Sequence, residues 1–149
     1  SIERNMGATR DVLSVFAGTL VGSCFNMGMV HLNMYIWPMP PGVSLTDKDP
    51  EPFMNYIKSL PPAAFINVLI AHVGQAFTGA ILASRLCSSN SSVCPMIVGG
   101  LTFAGGVSNW FTLSSFMTVP RFMLIEFPLY FVAAHYGGKI GSNLKLKSS

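Results

Sequence analysis

The chain has 149 residues, of which 50% are hydrophobic and only 10% charged, with a formal net charge of +3. Soluble domains carry about 25% charged residues, so this composition cannot clothe a water-facing globule, and it lacks the dense basic clusters that nucleic acid demands. Gly-rich phosphate loops, hydrolase elbows and zinc spacings among the Cys and His residues are absent from the sequence, which removes the enzyme classes built on them.

The charged residues mark out the elements. No Asp, Glu, Lys or Arg falls between Asp11 and Asp47, between Lys58 and Arg85, or between Arg85 and Arg121, and only Glu126 interrupts the run from Arg121 to Lys139. Each run supplies roughly 18 to 25 apolar residues, enough as helix to cross a hydrocarbon core of about 30 Å. The pattern predicts an all-α integral membrane four-helix bundle, one domain over 1–149, with spans near 12–37, 62–82, 96–113 and 122–140.

The first span is too long for the core of a signal peptide, which runs about 7 to 15 residues. It ends in "NMGMVHLNMYIWPMPPG", where Met27, His31 and Met34 share one helix face. Thioether and imidazole suit Cu(I), but methionine is also a pliable apolar filler, so the stretch reads as a helix end with His31 its functional candidate. Tyr35 and Trp37 are interface anchors, Cys24 a small buried apolar residue, and the prolines that follow stop the helix. Asp49 as N-cap and Pro50 at the first helical position then predict a short helix at about 50–60, with Phe53, Met54, Ile57 and Leu60 on one face. It should lie in the interface.

The second span starts at Pro61 and Pro62 and places His72 close to the membrane midplane, level with Asn26, with Gln75 one turn further in. Polar side chains at that depth are expected to face inward and bond one another, so Asn26, His72 and Gln75 form the predicted intramembrane polar cluster. His72 and His31 are also candidate ligands for a pigment such as chlorophyll, since neutral imidazole binds metal centres. Their difference in depth argues against a haem held by both, and no other metal site is expected. Cys87 and Cys94 bracket a Ser-rich turn that also holds the sequon at Asn90; on the inner, reducing side neither feature should be used.

Pro120 marks the restart into the fourth span, in which Pro128 should kink the helix and free the Leu124 carbonyl. Glu126 is costly there, about 2.5 to 3.5 kcal/mol at a span centre. Similar depths suggest a His31 to Glu126 hydrogen bond as a structural lock; a proton relay, a protonated carboxyl, or a bend towards Arg121 are the alternatives. His135 belongs to the inner interface, and 141–149 reads as a flexible solvated tail. Small residues recur along all four spans: Ser14, Gly18 and Gly22; Ala71, Gly79 and Ala83; Gly100, Ala104 and Ser108; Ala133, Gly137 and Gly141. Such stripes let helices in lipid approach closely.

The order "AGTLVG", "NMG", "PPGV" with Asp47 after it, "AHVGQAFTGA", then "GG" with Asn109 beyond, and an acid early in the last span, resembles a family of small uncharacterised four-span bacterial membrane proteins. The likeness covers about 16–140 and is most specific at Asn26-Met27-Gly28 and Ala71-His72-Val73-Gly74. It departs at the Cys-bracketed turn and the lysine-bearing tail, as an organellar relative would. The resemblance implies the four-span topology and carries no assigned activity.

Six Lys and Arg residues (Arg4, Arg10, Arg85, Lys139, Lys145, Lys147) share the side of the termini against three (Lys48, Lys58, Arg121) opposite. The bias predicts termini in the cytoplasm, stroma or matrix of a bacterial inner, thylakoid or mitochondrial inner membrane. With no soluble domain, the expected role is a non-catalytic accessory subunit of a larger membrane complex, contacting other membrane subunits, structural lipid and, in a photosynthetic complex, chlorophyll or carotenoid. The alternative is a homodimeric transporter or channel with Glu126, His72 and Asn26 along its path. An intramembrane enzyme using His72 and Glu126 is weakest, because helical rise places the two at different depths.

Overall fold

The computed structural model describes residues 2–44, 49–88, 92–114 and 124–147, and side chains within 6–44, 49–88, 92–111 and 124–145. The described residues form five helices and no strand: α1 (Ile2–Ile36), α2 (Glu51–Ser59), α3 (Pro62–Leu86), α4 (Val93–Ser114) and α5 (Glu126–Lys147). Among the described residues, two stretches, Met6–Ile36 and Pro62–Leu86, are long and apolar enough to cross a membrane.

Prolines punctuate the chain as their missing donor requires. The last bond of α1 runs from the Trp37 N–H to the Asn33 carbonyl, just before Pro38. Gly42, at φ +80°, turns the chain in a conformation that L side chains resist. Asp49 accepts a hydrogen bond from the Glu51 N–H (3.0 Å), so the carboxylate serves the first turn of α2 from one residue before its Pro50 cap. The Tyr56 hydroxyl donates to the Trp37 carbonyl (2.7 Å), fastening α2 to the end of α1.

α3 is the central helix, packed by α1, α4 and α5. Arg10 meets Leu86 and Asn33 meets Asn67, so α1 runs antiparallel to α3; Gly138 beside Pro95 and Tyr130 beside Gly106 make α4 antiparallel to α5. The start of α1, the end of α3, the start of α4 and the end of α5 therefore share one end of the bundle.

Backbones nearly touch along these seams. A Cβ on Gly18 would lie 2.5 Å from the Gly79 carbonyl oxygen, and one on Gly79 would lie 2.7 Å from that of Gly18. A Cβ on Gly137 would meet the Phe77 carbonyl at 2.5 Å, and Ser84 Oγ donates to the Gly138 carbonyl at 2.8 Å. Most buried apolar positions are accordingly small, among them Ala64, Ala71, Ala76, Ala80, Ala83, Ala133 and Ala134, with Val98, Pro95 and Tyr130 larger. Large apolar side chains point out instead, among them Leu13, Phe16, Ile66, Ile70, Leu101, Phe111, Val132 and Ile140. This inverts the arrangement of a water-soluble core.

The structure departs from the sequence reading in further respects. α5 continues to Lys147 rather than fraying at 141, because Gly141 seats against the Ile81 backbone and Lys145 Nζ donates to the Cys87 carbonyl (2.7 Å). Pro128 falls in the first turn of α5, where a backbone N–H has no helical partner to lose, so it opens the helix instead of kinking it. Cys24 is exposed. Cys87 and Cys94 are joined as a disulfide, since the turn into α4 returns the chain with Cα atoms 6.5 Å apart, inside the reach of about 4.4 to 6.8 Å for such a bond. Finally, three of the four small-residue stripes are buried in seams, but on α4 Ala104 and Ser108 are exposed and, among the described residues, nothing lies within 4 Å of a Cβ built on the half-buried Gly100. Asn90, Arg121 and Pro120 lie outside the described residues.

Candidate functional site

Four helices contribute polar groups to one cavity of about 270 Å³: Asn26 from α1, His72 and Gln75 from α3, Thr102 and Asn109 from α4, and Tyr130 from α5. Asn26 Nδ2 donates to Gln75 Oε1 (2.5 Å), and Gln75 Nε2 in turn reaches Ser23 Oγ at 3.5 Å. This bond ties the α1 and α3 members of the expected polar cluster to each other.

His72 has a different partner. Its Nδ1 lies 3.0 Å from Glu126 Oε2, with the Glu126 residue 4% exposed. The hydroxyl of Tyr130, wholly buried, stands 3.5 Å from the same nitrogen. Tyr130 needs Gly106 opposite it, because a Cβ there would sit 2.6 Å from the phenolic oxygen. Around this group Phe103, Phe127, Trp110 and Phe131 form a ring cluster, with centroids 5.5 to 6.3 Å apart, that keeps one flank apolar.

The proposed His31 to Glu126 lock is corrected by this geometry. α3 stands between α1 and α5, and α5 begins at Glu126, so its first turn reaches halfway along α3 rather than to the end of α1. His31 is exposed and its Nδ1 bonds the Met27 carbonyl of its own helix (2.8 Å). A carbonyl only accepts, so Nδ1 carries a proton in this contact and Nε2 is the ring nitrogen left for a ligand. Met27 and Met34 are also exposed, at 60% and 45%. His135 is exposed beside Lys139 and borders a small pocket of about 60 Å³ with Ser84 and Ser92.

Sequence reasoning missed two parts of the site. Tyr130 lies four residues after Glu126, a spacing that places both on one helix face and could have paired them. Asn67 Nδ2 donates to the Met29 carbonyl (3.2 Å) and to Asn33 Oδ1 (3.0 Å), a second polar rung between α1 and α3 that charge-based reading passes over.

Chemically, the His72–Glu126 contact holds a proton in either of two ways, with the imidazole N–H donating to carboxylate or a carboxyl O–H donating to the ring. The cavity equals roughly nine waters at about 30 Å³ each, room for a small polar guest met by amide, hydroxyl and imidazole groups. Comparison with family models, curated proteins and solved structures returned no match for this chain.

Proposed function

We propose that the chain is a small non-catalytic membrane protein in which α1, α3, α4 and α5 each cross the bilayer, α2 lies in the interface, and the whole serves as an accessory subunit of a larger membrane complex. The outward-facing stripe of Gly100, Ala104 and Ser108 carries this reading. Glycine at an open helix surface costs about 1 kcal/mol of helix propensity against alanine and at Gly100 meets no close neighbour among the described residues, whereas a neighbouring helix packs closely onto such a surface. The inverted burial supports lipid as the solvent, and α4 and α5, at 22 residues each, are about 33 Å long at 1.5 Å per residue. The resemblance to small four-span bacterial proteins fits the same topology.

The charge bias favours termini on the cytoplasmic, stromal or matrix side. An apolar groove of about 830 Å³ lined by Met6, Leu13, Phe16 and Leu86, with Arg10 at its edge, suits the acyl chain and acidic head of a structural lipid. Of the two pigment-ligand candidates, His31 is the better placed, since its ring is exposed and bonds its own helix through Nδ1, while His72 is committed to Glu126. In a photosynthetic complex this favours a chlorophyll at His31.

The test is purification in mild detergent. An accessory subunit migrates with larger partners, and the pair Gly100→Leu with Ala104→Leu releases it as a folded protomer. Migration as a lone protomer before substitution counts against the reading.

The polar cavity beside a buried His–Glu pair favours a second reading, a homodimeric path for protons or a small polar solute, because intramembrane ionisable residues mark such paths. Flux in liposomes that is abolished by Glu126→Gln would select it; no flux would remove it.

A further inference from the structure

A second cluster lies at the end of the bundle where four helix termini meet. Cys87 and Cys94 are 0% and 2% exposed, and Asp11, 76 residues before Cys87, directs Oδ1 to within 3.2 Å of Cys87 Sγ. One donor atom from each of the three residues falls within 4.8 Å of the others. The carboxylate is aimed by the Ser88 N–H (2.7 Å). The backbone around Cys87 is fastened on both sides, by Arg10 Nε to the Leu86 carbonyl (2.8 Å) and Lys145 Nζ to the Cys87 carbonyl (2.7 Å).

This arrangement is puzzling for a disulfide alone. A bonded sulfur has no S–H to give, so a carboxylate directed at it gains nothing. The same contact is productive once the pair is reduced, when the oxygen faces a thiol or thiolate. The charge bias of the termini favours a reducing compartment for this end, where cysteines are kept as thiols.

We propose that the reduced form of this cluster binds one zinc-class divalent cation through the thiolates of Cys87 and Cys94 and the carboxylate of Asp11, and that oxidation to the disulfide releases it. Two thiolates and a carboxylate suit such an ion, which takes four ligands at about 2.0 to 2.3 Å, leaving one position for water. Tetrahedral geometry then needs the donors about 3.7 Å apart, an opening that the 6.5 Å separation of the Cα atoms permits. Release is a balanced exchange: the two thiolates give two electrons to an external disulfide-class oxidant, which takes up two protons and leaves as two thiols, while the Cys87–Cys94 bond forms and the cation departs. The guanidinium of Arg10 and the ammonium of Lys145 offset the excess negative charge of the ligands. Asp11 comes from another helix, so no Cys or His spacing announces the site.

The experiment uses the full chain in detergent, reduced under anaerobic conditions and titrated with Cd²⁺, whose thiolate complexes absorb in the ultraviolet. The expected result is one equivalent bound, with the band lost on Cys94→Ser or on oxidation and retained in Cys24→Ser. Asp11→Asn should weaken binding at least as much as the loss of an outer-shell partner, about 10- to 100-fold. Circular dichroism confirms that each variant is folded. Protection of both thiols from a maleimide by Cd²⁺ in the unsubstituted chain gives a readout independent of any variant. Failure of the reduced protein to bind Cd²⁺, failure of Cd²⁺ to protect the thiols, or unchanged affinity in Asp11→Asn overturns the proposal.

Discussion

α3 and α4 carry the same run of small residues, yet one is packed on three sides and the other shows its stripe to the outside. Ala71, Gly79 and Ala83 are buried in the bundle, while Ala104 and Ser108 are exposed and a Cβ on Gly100 meets open space. The pattern of small residues therefore encodes a capacity for close approach and leaves the identity of the neighbour open. Within the bundle that neighbour is another segment of the same chain; on α4 a partner subunit is the neighbour we propose.

The comparison is broken most severely by filling the inner seam. Gly79→Leu would force side-chain atoms into the Gly18 carbonyl, already 2.7 Å from a Cβ. With the Gly18 backbone on one side and the buried Val98 side chain 3.0 Å away on the other, the expected cost is about 3 kcal/mol or more. Loss of monodisperse folded protein on size-exclusion chromatography is the readout. A variant as stable as the parent would mean that α1 and α3 do not meet there.

Next comes the polar rung buried in the same seams. His72→Ala leaves the Glu126 carboxyl without its 3.0 Å partner and should cost about 1 to 3 kcal/mol. Glu126→Gln keeps the shape and still bonds an imidazole, so its cost should be less than half as large. Thermal unfolding in detergent measures both. Equal and negligible effects would mean that the pair does not hold α3 to α5.

These two sites differ in how far the sequence discloses them. The inner seams are legible because a small residue every fourth position states its own geometry, and the charge-free runs delimit the helices that carry it. The partner of Glu126 is not legible, because it depends on which helices are neighbours and on where α5 begins. Counting depth from Arg121 placed the carboxyl near His31, whereas a helix starting at Glu126 sets it beside the middle of α3. The disulfide is the opposite case: the spacing of Cys87 and Cys94 permits the bond, while the charge bias of the termini points to a reducing compartment that disfavours it. The helical end of α5 is not legible because "GSNLKLKSS" has no apolar stripe of its own. A glycine seat and one lysine bond to Cys87 hold it instead. Local propensity cannot report contacts supplied by another helix.

On the outer stripe the effect moves from folding to association. Gly100→Leu with Ala104→Leu should leave the unfolding of the protomer within about 0.5 kcal/mol of the parent while abolishing migration with larger partners. Native electrophoresis of the two proteins side by side separates these quantities. Loss of folding instead would show that α4 uses the stripe within its own chain.

The sharpest contrast is also the smallest in energy, because it turns on sign. Gly100→Ala adds one methyl to open space and removes backbone freedom from the unfolded chain, so the isolated protomer should become more stable by roughly 0.5 to 1 kcal/mol. Gly18→Ala gains the same propensity, but its methyl would sit 2.5 Å from the Gly79 carbonyl oxygen and 2.8 Å from Ala83 Cβ. Relief requires α1 and α3 to part, so the net change should be destabilising by about 1 to 3 kcal/mol. Opposite shifts in unfolding temperature for one chemical change would locate the two kinds of stripe without reference to any partner. Shifts of the same sign would mean that α4 and the inner seam share one environment, and that the outward face of Gly100 is covered from within the chain.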